Sequence, residues 1–390
     1  MSPCHRNRSL TLSAAITLGG LALVAVTGSA QAQESGTAAL TAQFNQVCAG
    51  AAAGSALASR CAVVLASPDP NARANAANMN DLEELPGAGR GQANDQWPAR
   101  TEVETLVTPK LAVFASIDHD RSWRSNDTIE AAFDADSTTF TVGLDWHPAN
   151  RWQIGATLNR QHQNQQFRGS FGRTQADATG VIAVSSFDID DHFDINGYLG
   201  RFWGSQDVRR GVGFIDSNAI VMETASPDIS RTLGGLALDA NFARGPLVWR
   251  GSLGYDAATT TIDGYTESGG SGFDLIVPQR ATTTRRGRLE LGLADTISAS
   301  WGVWQPEVRV GFIHEFANDE RTVGVRFVDD TNGTVVRFDT GAPDRDWMQA
   351  TFSSTFTFAH GNSGFITIGR EFAHSTSTAM TLAIGWRMEL

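Results

Sequence analysis

The chain ends in the stretch TLAIGWRMEL, residues 381–390, in which apolar residues alternate with small or charged ones up to the last position. The apolar residues are Leu382, Ile384, Trp386, Met388 and Leu390, and those between them are Ala383, Gly385, Arg387 and Glu389. Successive side chains of a β-strand point to opposite faces, so this stretch predicts a strand with one apolar face. Chain termini fray unless they are held in place, which predicts that this last strand is paired.

The same period of two recurs upstream, from about residue 110 onward. Clear examples are TTFTVGLDW (138–146), WQIGATLN (152–159), EVRVGFIHEF (307–316) and ATFSSTFTF (350–358). About twelve such segments reach residue 390, each near the roughly 9–11 residues that a tilted transmembrane strand needs. The pattern predicts strands with one face toward lipid and the other toward water.

The connections between these segments alternate in length. Short turns are expected near 147–151, 188–191, 243–246, 298–304 and 360–364. Longer loops are expected near 122–136, 162–176, 207–230, 259–281 and 317–346, and only the last connection, near 373–378, is short where a long loop is expected. Outer-membrane barrels have short periplasmic turns and long outer loops, and a soluble β-sandwich has no reason to keep this alternation. The sequence therefore predicts an all-β fold, a twelve-stranded antiparallel transmembrane β-barrel.

Two sets of side chains fit this interpretation. Tryptophans fall near the predicted strand ends, where a membrane interface favours them, although core packing is the alternative: Trp146, Trp152, Trp203, Trp249, Trp304, Trp347 and Trp386. Charged residues fall on the opposite strand face and are predicted to face the lumen, where they would hold a plug or tune permeation: Arg250, Arg288, Glu290, Arg309, Glu315, Arg387 and Glu389.

The N-terminus has the features of an export signal. Arg6 and Arg8 precede an apolar run, and AQAQ supplies a cleavage site after Ala32, so residues 1–32 are predicted to be a signal peptide. A retained membrane anchor is the alternative. Of the three cysteines, Cys48 and Cys61 would remain in the exported chain, where a disulfide is the default, and a free pair or metal ligands are the alternatives.

Residues 33–108 are Ala- and Asn-rich and lack the β pattern. Phe44 and Val47 share a helical face, and a second helical stretch contains Cys61, which predicts two short helices joined by the disulfide. A third helix is predicted over 71–85, ending at Pro86. We therefore expect a helical passenger or plug with a linker in 33–108, followed by the barrel in 109–390.

The composition excludes several functions. The formal net charge is -12 and Lys110 is the only lysine, so no basic patch for nucleic acid is expected. No nucleotide loop, zinc-protease motif or nucleophile-elbow motif is present, and no cofactor or metal is expected. His374–Ser375, Asp118–His119–Asp120 and Asp191–His192 are weak catalytic candidates, because a nucleophile also needs an oriented base and oxyanion donors. The protein is not expected to be an enzyme.

Residues 109–390 resemble the translocator domain of bacterial autotransporters. The resemblance rests on VGLDW (142–146) followed by WQIGATLN (152–159), on INGYLGRFW (195–203), and on WQPEVRVGFIHEF (304–316). In the last of these, Pro306 and His314-Glu315-Phe316 resemble the late-strand signature of that family. Gly385, Met388 and Leu390 resemble the C-terminal assembly signal, although the family usually ends in Phe or Trp.

The resemblance implies an outer-membrane barrel that anchors and translocates its own N-terminal segment to the cell surface. Its expected partners are outer-membrane lipid, the barrel-assembly machinery and periplasmic chaperones. The segment would lie in the pore, in the periplasm or at the surface. Two alternatives stay open, a small channel plugged by the N-terminal segment and an adhesin that binds through its long loops.

Overall fold

The computed structural model describes residues 41–67, 111–125, 132–149, 151–168, 172–214, 217–317, 321–340, 344–358, 362–374 and 377–390. Two helices, α1 (41–50) and α2 (Ala56–Ala66), precede the strands. The strands are β1 (Leu111–Arg124), β2 (Phe133–Ala149), β3 (Trp152–Phe167), β4 (Arg173–Asp188), β5 (Phe193–Phe214), β6 (Ser217–Ala225), β7 (Asp228–Arg244), β8 (Leu247–Ile262), β9 (Tyr265–Thr266), β10 (Leu275–Val277), β11 (Arg280–Asp295), β12 (Ile297–Ala299), β13 (Gly302–Glu315), β14 (Arg321–Phe327), β15 (Val336–Thr340), β16 (Asp346–Phe358), β17 (Asn362–Phe372) and β18 (Ser377–Glu389).

Twelve of these strands close into one antiparallel cylinder. Their order around it is β1, β2, β3, β4, β5, β7, β8, β11, β13, β16, β17 and β18, and β18 pairs with β1 to complete the circle. Because every strand has two neighbours, the backbone donors and acceptors of the ladder are satisfied within the cylinder, as a membrane-spanning sheet requires. The predicted twelve-stranded barrel is confirmed.

The alternation along each strand separates the two faces of the wall. On β2 the outward residues Phe140, Val142 and Leu144 are about half exposed, whereas Thr139 and Thr141 between them are buried on the inward face. The same parity holds in the last strand, where the apolar residues from Leu382 to Leu390 point outward. The outer face is therefore apolar although no described residue covers it, which is the arrangement that lipid favours.

Several strands are longer than the sequence pattern predicts. The longest, β5, has 22 residues, and its last part, from Val208, pairs with β6 in place of β7, while Val208 and Arg209 still pair with β4. The pattern predicts only the length that crosses the membrane, since strands that continue into long connections are no longer under the constraint of an apolar outer face. The region expected as a loop over 207–230 is thus largely a β-hairpin.

The connections divide the barrel into two rims. One, the short-turn rim, carries the turns at 189–192, 245–246 and 300–301 together with the C-terminus. The opposite rim, the long-connection rim, carries the segments between β5 and β7, between β8 and β11, and between β13 and β16. In the first of these segments β6 pairs with β5, and the strands of the other two segments form a small four-stranded sheet in the order β15, β14, β10 and β9.

The two N-terminal helices pack against this small sheet. A turn with Gly54 at a φ of 79° separates them, and the Ser55 side chain accepts a hydrogen bond from the Ala58 amide at the start of α2. Cys48 and Cys61 form a disulfide with Cα atoms 5.5 Å apart. The predicted pair of joined helices is therefore present, whereas the third helix predicted over 71–85 and the signal peptide over 1–32 lie outside the described residues.

One hydrophobic core joins the helices to the barrel's connections. The helices contribute five of its twelve buried residues and the connections contribute seven. The five are Phe44, Val47, Leu57, Cys61 and Val64, and the seven are Val212, Phe273, Leu275, Val277, Val325, Phe327 and Val336. Residues 41–67, which we call the cap, therefore depend on the barrel's own connections for their core.

Candidate pore and its cap

The barrel closes at the chain terminus itself. The Leu390 amide donates a hydrogen bond of 2.9 Å to the Leu111 carbonyl, so the first and last described barrel residues meet at the short-turn rim. Met388 and Leu390 point outward, and Gly385 points inward beneath the Phe365 ring, where any larger side chain would collide with it. The function of these three residues as an assembly signal stays a prediction.

A cluster of ion pairs lines the inner wall across β8, β11 and β13. Glu307 accepts hydrogen bonds from Arg250 at 2.9 Å and from Arg309 at 2.8 Å, and Arg309 also lies 3.4 Å from Glu290. Arg250 and Glu307 lie on strands that are not neighbours, and their side chains meet over Gly292 on β11 between them. The cluster thus connects three adjacent strands through side chains on the lumen side.

Further pairs continue this pattern toward both rims. Near the short-turn rim, Arg387 contacts Asp145 at 3.1 Å and Glu389 at 2.9 Å. Toward the long-connection rim the pairs are Arg288 with Asp256 at 3.2 Å and Arg286 with Glu315 at 3.2 Å. The seven charged residues singled out from the sequence all take part in such pairs, whereas their effect on a plug or on permeation stays a prediction.

Hydrogen bonds fix the cap on the long-connection rim. Gly50 accepts hydrogen bonds from the amide and hydroxyl of Thr331, at 2.9 and 2.8 Å, and the Arg60 guanidinium donates to the Ser271 carbonyl at 3.2 Å. Gly272 has a φ of 86° and lies so close to Ala56 that a Cβ would collide with its backbone. Both helices are therefore held by polar contacts as well as by the shared core.

Two buried acidic groups hold the connection that lies beneath the cap. Glu267 pairs with Arg210, whose guanidinium also donates to the Phe273 carbonyl at 2.8 Å. Glu223 is fully buried and accepts the Ser271 amide at 3.0 Å. Burial, followed by the hydrogen bond shared with Asp274, raises the pKa of Glu223. The Glu223 carboxyl thus favours its protonated form more than an exposed glutamate does.

The barrel matches a known protein family. The family model of the autotransporter β-domain matches residues 113–369. The chain belongs to the autotransporter β-domain family. No sequence among curated proteins matches the chain.

Solved structures of autotransporter barrels have the same fold. The translocator domain of NalP from Neisseria meningitidis is 17% identical, with a TM-score of 0.57 over 72% of this chain and 89% of that one. The β-domain of the Bordetella autotransporter BrkA is 17% identical, with a TM-score of 0.53 over 72% of this chain and 100% of that one. The transport unit of AIDA-I from Escherichia coli is 12% identical, with a TM-score of 0.50 over 76% and 95%. These structures show the same fold, and the family identifies the chain as an outer-membrane β-barrel of the translocator type.

Within this autotransporter β-domain, sequence reasoning missed the acidic partners of the inner-wall arginines. Asp145, Asp256 and Glu307 were not among the predicted lumen charges, although each is buried or nearly buried against an arginine. The alternation of side chains along each strand could have identified them, because each lies on the same strand face as inward glycines or polar residues. The local pattern does not give the register, that is, which residues of neighbouring strands lie opposite each other.

The catalytic candidates do not assemble into a site among the described residues. Asp118 points inward and His119 outward, because neighbours on β1 alternate. Asp191 and His192 lie in the turn at the short-turn rim. His374 is buried between Asp344, at 2.9 Å, and Glu371, at 3.4 Å, and Ser375 lies outside the described residues. The fold is that of an autotransporter transport barrel.

One tryptophan of the autotransporter barrel that is predicted to lie at the membrane interface points into the barrel instead. Trp347 is only 5% exposed and points inward, where it stacks on His374 with ring centroids 5.0 Å apart and Arg286 lies over its ring. The prediction for Trp347 was therefore wrong, since position near a strand end does not reveal the face. Trp146, Trp152, Trp203, Trp249 and Trp386 are outward and about half exposed, as expected.

Neither helix among the described residues is long and apolar enough to cross a membrane. Those residues also contain no group of three or more side chains arranged to hold a metal ion.

Proposed function

We propose that this barrel carries its own N-terminal segment across the outer membrane and keeps it docked at the cell surface. The observation that carries the proposal is the placement of the chain's two ends. The cap lies on the long-connection rim, whereas β1 begins at Leu111 on the short-turn rim. The chain between Ser67 and Leu111 has to connect the two rims of a barrel that is surrounded by lipid.

The lumen is the route that this connection favours. The 43 residues from 68 to 110 would reach about 65 Å even if they were entirely helical, which exceeds the roughly 40–45 Å of a complete bilayer. A non-helical segment crossing outside the barrel would leave its polar backbone groups unsatisfied in lipid at several kcal/mol each. The inner wall offers charged and polar partners instead. In outer-membrane barrels the long connections face outward, which would put the cap on the cell surface.

An epitope tag at residue 36 tests the proposal. We expect an antibody to bind tagged protein on intact cells, because the tag precedes a cap held on the outer rim. The matched control is the same tag in the turn at Gly245, which should react only after the outer membrane is permeabilised. A tag at residue 36 that stays hidden on intact cells, with normal barrel assembly, would rule out surface display and favour a periplasmic segment.

A second candidate, a channel closed by its own N-terminal segment, is favoured by the shared core. This core contains residues from three connections, which together are attached to six of the twelve barrel strands. The cap therefore bridges a large part of one rim. The test is single-channel conductance of the full chain and of Phe44→Asp, which should release the cap. A closed wild type and an open variant would support a channel, and equal conductance would count against it. The adhesin alternative stays a prediction.

A further inference from the structure

Five barrel strands carry an outward arginine at a similar place in their pattern. On each strand, most outward residues counted from the short-turn rim are apolar or small until the arginine is reached, the exceptions being His119 on β1, Asp295 at the end of β11 and Asn362 at the start of β17. On β3, for example, Trp152, Ile154 and Leu158 precede Arg160. The corresponding residues on the other four strands are exposed as well: Arg121 on β1, Arg201 on β5, Arg285 on β11 and Arg370 on β17.

Two features indicate that these arginines mark one edge of the lipid-facing band. An aromatic residue follows at the next outward position on three of the strands, namely Trp123, Trp203 and Phe372. Aromatic rings of this kind favour the headgroup level of a membrane. Toward the short-turn rim, the described outward positions are uncharged until the strand ends at Arg244 and Asp295. Apart from Arg244, the outward arginines of the described barrel strands thus lie on the side of the long connections.

Arg121 and Arg370 form the closest pair within this set. Both lie directly opposite Met380, one on each side of β18. Two strand spacings separate their Cα atoms by roughly 9–10 Å, which two long side chains can span. The outward neighbours of Arg370 are the apolar Ala350, Ile368 and Phe372. No acid lies between the two arginines.

Acidic residues neighbour these arginines as well as Arg160. Arg160 pairs with Asp177 on the same face, at 3.1 Å. Arg121 lies directly opposite Asp136 on β2 and also interacts electrostatically with Asp134, and both acids lie on the side of Arg121 away from Met380. The space over Met380 is therefore bounded by two cations and apolar side chains, which leaves room for an external anion of limited size.

We propose that Arg121 and Arg370 bind the phosphate of an anionic lipid headgroup above Met380. Guanidinium groups bind phosphate through paired hydrogen bonds, and basic residues beside a membrane surface attract anionic lipid. The apolar residues below the pair would contact the acyl chains of the same molecule. The proposal rests on the proposed function only for the leaflet, because the orientation of the barrel decides which leaflet supplies the lipid.

Retention of phosphatidic acid by the full-length folded protein, counted by native mass spectrometry against phosphatidylcholine, tests the site. The change is Arg121→Gln with Arg370→Gln, and the matched control is Arg160→Gln with Arg201→Gln, which removes the same charge from the same edge. We expect about fivefold weaker retention for each arginine of the pair, about 30-fold together, and little change in the control. The heat-dependent gel shift verifies folding of each variant.

Each other outcome would overturn the proposal. Equal losses in both double variants would show that retention depends on the overall positive charge of this edge. No loss in either variant would show that Arg121 and Arg370 do not bind the lipid. Displacement of the lipid by millimolar inorganic phosphate would indicate a phosphate site in place of a lipid site. Because the measurement uses solubilised protein, it does not depend on the direction of insertion. A negative result here would leave the epitope test of surface display unaffected.

Discussion

The Leu390 amide and the Leu111 carbonyl meet at 2.9 Å, so the barrel is sealed by the last residue of the chain. Deleting 385–390 should open both β1 and β18, because unpaired strand edges in lipid cost several kcal/mol for each unsatisfied backbone group. We expect loss of the species that migrates faster unheated than boiled. Leu390→Phe should assemble at least as well as wild type, and Leu390→Asp should cost only about 0–1 kcal/mol near the interface. Normal yield of shifted protein from the deletion would contradict a closed barrel.

The cap should depend on Phe44 far more than the barrel does. Phe44 is fully buried in the shared core, and truncating a buried phenylalanine costs about 3–5 kcal/mol. Phe44→Ala should therefore abolish hydrogen-exchange protection in 41–67 and leave the gel shift of the barrel unchanged. Leu65→Ala, at a position that is 40% exposed, is the control and should show the same hydrogen-exchange protection of 41–67 as wild type. Loss of the gel shift in Phe44→Ala would show that the core is needed for barrel assembly.

The disulfide should stabilise the cap alone. A bridge between residues 13 apart contributes about 3 kcal/mol on the chain-entropy model. Replacing Cys48 and Cys61 together by Ser should make the cap susceptible to protease under conditions in which wild type resists. Treating wild type with a reductant should give the same digestion pattern. If the double variant instead failed to form a barrel, the domain boundary predicted near residue 108 would be wrong.

Glu223 should make the cap more stable in acid than at neutral pH. Its pKa is raised in the folded state, mainly by burial and next by Asp274. The folded protein therefore holds the proton more tightly than the unfolded one, so stability is full below the ordinary pKa of about 4.5 and is lost as pH rises through the raised value. The pKa of Asp274 is lowered because its hydrogen bonds outweigh the effect of burial. Its titration therefore changes the stability only below about pH 4.

Glu223→Gln separates this effect from other titrations. Its amide donates permanently to Asp274 and cannot titrate, so protection of 41–67 should become independent of pH between 4.5 and 8. Glu267→Gln, which breaks the neighbouring pair with Arg210, should weaken the cap and keep the slope. A Glu223→Gln variant with the wild-type slope would assign the pH dependence to another group.

Glu307 should contribute more to barrel stability than Glu389. Glu307→Gln removes the charge that faces both Arg250 and Arg309, and breaking a buried pair by removing one partner costs up to about 3–5 kcal/mol. Glu389→Gln leaves Arg387 with Asp145 and should change little. The measurement is the temperature at which the unheated gel species converts to the boiled one. Equal temperatures for both variants would contradict the view that the inner ion pairs staple the wall.

Strand number, face and closure followed from the sequence, because period two along Leu382 to Leu390 is a local property of a wall between lipid and water. The inward position of Trp347 also follows from alternation with Phe352 on the same strand, which its place near a strand end did not reveal. The pairing of Arg250 with Glu307 did not follow, because it depends on the register between strands and these residues are 57 positions apart in sequence. The shared core was equally beyond a local pattern. Phe44 and Val47 gave an apolar helical face, but nothing nearby in sequence indicated that Phe327 or Val336 covers it.

The division of one core between the cap and the barrel's connections also constrains how such genes can recombine. A crossover between two related genes at any codon from 67 to 212 would join a cap from one parent to connections from the other. The resulting barrel could still close, but its cap would meet a surface selected for different side chains. Exchange of the cap between such proteins would therefore have to include both ends of the gene, or be followed by matching substitutions in the connections.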